Sequence, residues 1–243
     1  MPNGIEDYYK LVSEPWGKIF YETLFVQLNL SNEKPLKILD YGSGFGVTAD
    51  YYANIHNVIA VEPNSMMSDK RFSDNKYRQI TGGKEVLESF SDDLFDVIIC
   101  HNVLEYNKNQ KEIFQSLLQV LKPNGFLSLV KHNEYGKVIH KAVFNANPCE
   151  ALKLLENPRG DDSTAFGERF LYSNEDVENW CSECGAAVDK ILGIRTFFSL
   201  IQDNSIKYNN EWYKNMLELE LKVSSISDFI KIAFFNHLLI SKL

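Results

Sequence analysis

The chain has 243 residues, of which 44% are hydrophobic and 24% charged, and it carries a formal net charge of −8. This is enough apolar side chain for one sizeable core and too much for a disordered chain, while the acidic balance excludes the non-specific coating of nucleic acid that counterion release rewards on basic faces. No run approaches ~18 apolar residues, and the opening "MPNGIEDYYK" has no basic stretch followed by an apolar one, so neither a membrane span nor a signal peptide is expected and the protein reads as cytoplasmic.

In chain order, helices are expected first over Ile5–Leu30, a segment that holds Tyr8, Tyr9, Trp16 and Tyr21. The short apolar and β-branched runs "LKILDY", "NVIAVE", "YRQIT", "FDVIICH" and "GFLSLVKH" then predict strands, and segments with helical spacing such as "KEIFQSLLQVL" lie between most of them. Strand alternating with helix implies an α/β fold built on a parallel sheet covered on both faces. Further on come a helix at "PCEALKLLE", a loop at "NPRGDDSTAFGE", a helix at "NEDVENWCSEC" that Ser173 or Asn174 can cap, a strand near "AAVDKILGI" and a last apolar stretch, "HLLISKL". No repeat or low-complexity linker intervenes, so residues 1–243 read as one domain.

Two features invite a functional reading and have plainer ones. The four cysteines, Cys100, Cys149, Cys181 and Cys184, are expected to be reduced thiols, and the Cys-x-x-Cys in "WCSEC" has no second close pair to complete a zinc site. Helical phase puts Cys181 and Cys184 on one face with Val177 and Trp180, which predicts a buried amphipathic face and no metal. The segment "KHNEYGKVIHK" sets Lys131, Lys137 and Lys141 against Glu134, a local sum of +2, with His132 and His140 beside them. It is either a solvated helix face or a local basic patch for tRNA phosphates.

The stretch "LDYGSGFGV" places Gly42, Gly44 and Gly46 where the first strand turns into a helix, beyond the carboxyl end of the strand, where open α/β sheets bind ligands. Glycines there let the chain turn sharply and let a ligand approach the backbone. Two cofactors compete. "GFGVTA" fits the dinucleotide pattern G-x-G-x-x-A, with Glu62 lying 18 residues past Gly44 as a ribose acceptor. Asp40 precedes the glycines, however, and an anion there is awkward beside a pyrophosphate but suits the cationic end of S-adenosylmethionine (SAM).

With "ILDYGSGFG", "VIAVEPNSMM", "DLFDVIICHNVLEY" and "LKPNGFLSLV" in this order and spacing, the chain resembles the class I SAM-dependent methyltransferases over most of its length. The resemblance implies a Rossmann-like fold with a seven-stranded, mostly parallel sheet whose last strand, near "HLLISKL", is antiparallel. It also implies SAM as cofactor and S-adenosylhomocysteine as product. By this resemblance Gly42, Ser43 and Gly44 line the methionine and ribose, Asp40 meets the ammonium group directly or through water, and Glu62 accepts both ribose hydroxyls. Met66 or Met67 lies against the adenine, Gly83 and Lys84 offer backbone groups to the ring's edge, and His101 sits near the sulfonium. Residues 1–35 are expected to form a helical lid, 36–133 the cofactor-binding core, and 134–243 the substrate side.

A narrower resemblance follows from "LSLVKHNEYGKVIHKAVFNAN", "GIRTFFSLI", "MLELEL" and "HLLISKL", which are similar to the bacterial tRNA 5-carboxymethoxyuridine methyltransferases. The shared features are an aromatic or basic residue before Asn133, Gly136 opening a helix, and Gly193-x-Arg195-x-Phe197. Two stretches depart from that family. Its N-terminal helix carries an arginine about where this chain has Phe20, leaving Lys18 or no residue for that contact, and Asn157–Glu168 carries acids in place of a lysine cluster. The acceptor decides the remaining roles. A carboxylate is already ionised and wants a cation such as Arg195 or Lys131, whereas the hydroxyl or amine of a small molecule wants a proton acceptor such as His101 or His132. A SAM-binding module without turnover is a further reading.

Overall fold

A computed structural model describes residues 4–30, 33–72, 77–92, 94–158, 162–164 and 167–243. Helices α1 (Gly4–Ser13) and α2 (Pro15–Leu28) precede an alternating run of β1 (Lys37–Tyr41), α3 (Val47–Ala53), β2 (Asn57–Glu62), α4 (Ser65–Asp69), β3 (Arg78–Thr81), α5 (Lys84–Glu88), β4 (Phe95–His101), α6 (Gln110–Val120) and β5 (Leu121–His132). Then follow α7 (Glu134–Val143), α8 (Pro148–Glu156), β6 (Asp162–Thr164), β7 (Gly167–Arg169), α9 (Asn174–Glu183), β8 (Ala186–Ile194), α10 (Asn210–Val223), α11 (Ser227–Ile230) and β9 (Phe235–Lys242).

Seven strands form one sheet in the order β3-β2-β1-β4-β5-β9-β8. It is mostly parallel with an antiparallel end, as expected. β1 lies at the middle of a parallel register, with Asp40 opposite Ala60 on one side and Ile99 on the other. Its last four residues are all buried, as a strand covered on both faces requires. Strand order reverses between β1 and β4, so the loops leaving these two strands are neighbours: a Cβ on Gly42 would come within 2.2 Å of the Val103 side chain. The segment 157–168, read as a loop, carries the antiparallel pair β6–β7, with Asp162 opposite Arg169. Residues 159–161 and 165–166 of that segment lie outside the described residues.

The chain divides into two compact units. One comprises Leu30–Leu129, Asn174–Lys190 and Leu238–Leu243. Here α6 turns Ile113, Phe114, Leu117 and Leu118 inward, a stripe at helical spacing, and Phe114 packs on Trp180 with ring centroids 5.5 Å apart. On α9, Val177 and Cys181 are buried, and burial pushes the Cys181 thiol up to about 12, an inert thiol. Cys184 departs from the expected buried face and is only half-buried. No group of three or more potential metal ligands exists among the described residues.

The other unit comprises Met1–Asn29, Val130–Ser173 and Ile191–His237. Its core has two parts, both built on α2. Phe20 and Leu24 pack with Val130, Ile194 and Phe235, while Ile19 packs with Phe198, Tyr213 and Met216. The spacing of Ile19, Phe20, Thr23 and Leu24 explains why α2 forms and which face it buries. Pro15 at the start supplies a fixed φ where no backbone donor is needed. Asn133 ties this unit together from the end of β5. Its Nδ2 donates to the carbonyls of Lys231 (2.9 Å) and Ala233 (2.8 Å), and its backbone N–H to that of Phe234 (3.1 Å).

Candidate active site

The glycine loop is fixed by backbone bonds before any ligand is considered. Gly42 and Ser43 both donate to the Val61 carbonyl at 2.8 and 3.1 Å, and Gly42 and Gly44 take φ of +77° and +56°, where a Cβ is strained. The N–H of Gly44 donates to Glu62 Oε2 at 2.8 Å, and Glu62 Oε1 accepts from the Asn64 N–H at 2.9 Å. Glu62 is therefore a brace between the β1 and β2 loops, with one lone pair left on each oxygen. Burial raises its pKa, against the effect of these two bonds.

Asp40 is buried at the end of β1, and desolvation pushes its carboxyl up to about 7, helped by the charge of Glu62 and opposed by a backbone bond from Ala49. Its Oδ2, the Ser43 hydroxyl and Asn102 Oδ1 are buried polar atoms that no protein group satisfies. All three atoms lie at the carboxyl ends of β1 and β4 or on the loops leaving them, where strand order reverses, and unsatisfied acceptors there suit an ammonium-bearing ligand such as SAM better than a pyrophosphate. Asn102 was not legible as a site residue. It follows β4 at φ +55°, a left-handed conformation that asparagine tolerates, and a polar residue directly after a strand-end histidine is the one signal the sequence offered.

Of the two methionines, Met67 is buried and its Cε lies 3.3 Å from where a Gly44 Cβ would stand, whereas Met66 is 59% exposed. The backbone of Gly83 is engaged locally: its N–H donates to Glu85 Oε1 (2.7 Å) and its carbonyl accepts from Val86 (3.1 Å). Lys84 sends its ammonium to Glu112 at 3.1 Å. His101 ends β4 with Nε2 2.8 Å from the hydroxyl of the buried Ser128, which fixes the ring's orientation.

In the other unit, Arg195 follows β8 at φ +60°, a left-handed conformation that costs roughly 1–3 kcal/mol in a residue with a Cβ. Its guanidinium carbon lies 5.3, 5.5 and 5.9 Å from the ring centres of Phe234, Phe235 and Phe198, and its Nε donates to Ser199 Oγ at 3.0 Å. Burial lowers its pKa to about 10. No carboxylate among the described residues pairs with it. Glu220, the nearest acid to influence it, is committed to the N–H groups of Thr196 (2.7 Å), Phe197 (2.8 Å) and Phe198 (2.7 Å) and so fixes the turn that carries the arginine.

In the segment read as either a solvated helix face or a basic patch, Lys131 and Lys137 are buried and Lys141 is half-buried. Lys131 is 1% exposed, its ammonium bonded to the His132 carbonyl at 3.1 Å and set over the Tyr172 ring, and Lys137 is 7% exposed. Both follow from position: Lys131 sits in the covered end of β5, and Lys137 falls on the buried side of α7 beside Gly136. His132 Nε2 lies 2.9 Å from Arg169, a donor, so that nitrogen is spent as an acceptor. Lys18 pairs with Glu22 at 3.8 Å and covers Tyr213.

This fold, with a glycine-rich turn and an acid at the ends of β1 and β2, defines an α/β nucleoside-cofactor enzyme. The family model described as a methyltransferase domain matches residues 19–191, and the chain belongs to that family. It is 24% identical to the tRNA 5-carboxymethoxyuridine methyltransferase of Escherichia coli (strain K12) over 83% of this chain and 78% of that protein. It is also 25% identical to the ubiquinone biosynthesis O-methyltransferase of Glaesserella parasuis over 65% of this chain and 67% of that protein. Among solved structures it shares its fold with a SAM-dependent methyltransferase of Thermotoga maritima, at a TM-score of 0.63 and 14% identity over 98% of this chain and 96% of that one.

Proposed function

We propose that this methyltransferase uses SAM to esterify a carboxylate, that of 5-carboxymethoxyuridine at the wobble position of tRNA. The observation that carries the carboxylate is Arg195: a half-buried guanidinium, held on a strained turn among three aromatic rings, with no carboxylate among the described residues bonded to it. Burying an unpaired charge costs several kcal/mol, so the arrangement makes sense where an anionic ligand completes it. The relative acting on a carboxymethoxyuridine supports the choice of acceptor.

The methyl donor supplies an electrophilic carbon on a sulfonium. With SAM bound, a carboxylate oxygen would form the new C–O bond as the C–S bond breaks, giving a methyl ester and S-adenosylhomocysteine with no proton to remove. What the chain contributes is placement and exclusion of water, worth up to ~7–11 kcal/mol in favourable cases. Asp40, Ser43 and Asn102 hold the ammonium end of the donor, Glu62 takes the ribose through its remaining lone pairs, and Met67 covers the base. Arg195 orients the acceptor's carboxylate through a planar fork of donors.

A small-molecule acceptor is the second reading, favoured by the net charge of −8 and the burial of Lys131 and Lys137, which leave that segment little to offer tRNA phosphates. Radiolabelled SAM incubated with tRNA bearing carboxymethoxyuridine, and separately with a metabolite extract, distinguishes the two. Label entering the RNA fraction supports tRNA, label entering only the extract supports the second reading, and no transfer to either leaves a SAM-binding module without turnover.

A further inference from the structure

Arg195 is one member of a closed circuit. Its guanidinium faces Phe234 at 5.3 Å; Phe234 faces the His140 ring at 4.9 Å; His140 stacks on Phe144 at 4.7 Å; Phe144 faces the Lys207 ammonium at 5.3 Å; Lys207 faces Phe198 at 4.9 Å; and Phe198 returns to Arg195 at 5.9 Å. Aromatic and basic groups alternate around it. Lys207 is 1% exposed, yet its ammonium makes a single hydrogen bond, to Asn204 Oδ1 at 2.9 Å, and it caps the Trp16 ring at 4.8 Å. The charges of two acids beside the circuit, Glu220 and Asp203, act on Arg195 and Lys207, but neither acid forms an ion pair with either cation. Glu220 is committed to three backbone N–H groups, and Asp203 accepts from the N–H and the hydroxyl of Ser205 at 2.9 and 2.6 Å.

We infer that this circuit is an oxyanion-binding subsite in which Lys207, with Arg195, receives an anionic group of the methyl acceptor, a carboxylate or a phosphate, so that Lys207 selects anionic acceptors over neutral ones. The inference rests on the methyltransferase reading for the word acceptor, but the site stands on its own geometry. Lys207 is buried and Arg195 half-buried among aromatic rings, where the two cations repel each other and are short of solvation, and an oxyanion relieves both costs at once. Each cation lowers the pKa of its neighbours: burial and Arg195 bring Lys207 down to about 8 against the pull of Asp203, and burial with Arg195, Lys141 and Lys207 brings His140 down to about 4. Neutral His140 adds an N–H donor to the circuit without a third charge.

The test is thermal unfolding of the full chain in phosphate, in malonate and in chloride at matched ionic strength, for the wild type, Lys207→Met and Lys207→Gln. Either oxyanion is expected to raise the wild-type Tm by roughly 2–4 °C at tenfold excess over its Kd, with little gain in either variant. In chloride both variants should be at least as stable as wild type, because a buried unpaired cation has been removed. A shift in phosphate alone assigns the group to a phosphate, and one in malonate alone to a carboxylate. Equal shifts in wild type and variants, or none in the wild type, overturn the inference. SAM titrated into the same proteins separates the two claims: its affinity should be untouched by either substitution, and a wild type that fails to bind SAM sinks the proposed function while leaving the anion result standing.

Discussion

Asp40 makes the cofactor assignment testable through pH. Its carboxyl, pushed by burial to about 7, lies above the ordinary value near 3.8, so folding favours its protonated form. The associated stability is present below pH ~4 and is lost as pH rises through ~7. An ammonium favours the ionised form, so SAM affinity should climb between pH 5.5 and 7 by up to about tenfold per unit and then level off, and Asp40→Asn should flatten the climb. Calorimetry at several pH values measures this, and an affinity that falls with pH over that range contradicts the role. Glu62→Ala is a poor probe, since it strands the N–H groups of Gly44 and Asn64 at about 1–3 kcal/mol. Glu62→Gln keeps the shape and one acceptor, and it should weaken SAM binding by roughly tenfold. Arg195→Lys should raise the acceptor's KM by one to two orders of magnitude without unfolding the chain, because one ammonium cannot reproduce a planar fork. An unchanged KM in steady-state assays removes Arg195 from the acceptor site.

At the scale of elements, α2 is the spine of its unit, and Leu24→Ala should cost roughly 2–5 kcal/mol, read as a lower denaturation midpoint. α1 buries only Val12 and should exchange its amides faster than α2. The lid expected for residues 1–35 is tested on α1, where slower exchange on adding SAM is the predicted result and unchanged exchange contradicts it. The strands were legible because parallel, doubly covered strands read as unbroken apolar runs, as "FDVIICH" does in becoming β4. The lysines of "KHNEYGKVIHK" were misread because charge in a sequence says nothing about which face it lies on. Lys131 lies over Tyr172, far along the chain, and Gly136, beside Lys137, packs on the stretch around Ala233 that Asn133 braces.

Over the whole molecule, local pattern revealed the loops proposed to hold the cofactor, and long-range packing concealed the cluster proposed to receive the acceptor. The residues after β1 and β2 are contiguous with their strands, so "DYGSGFG" and "VEPN" announce them. The circuit of Arg195, His140 and Lys207 draws on α7, the turn after β8 and the turn before α10, and only Arg195 stood inside a recognisable triplet. His140 was marked only as part of a basic segment and Lys207 not at all, because a buried lysine is recognised by what surrounds it and not by its sequence neighbours.

The central claim is that the methyl group goes to a carboxylate. Its most direct test is the alkali lability of the product. After reaction with tritiated SAM and an extract containing both tRNA and small metabolites, the purified product is treated with mild base. A methyl ester releases its label as volatile methanol, and the account predicts that essentially all the label becomes volatile in this way. Label that stays with the product after base, as an ether or an N-methyl group would retain it, contradicts the account.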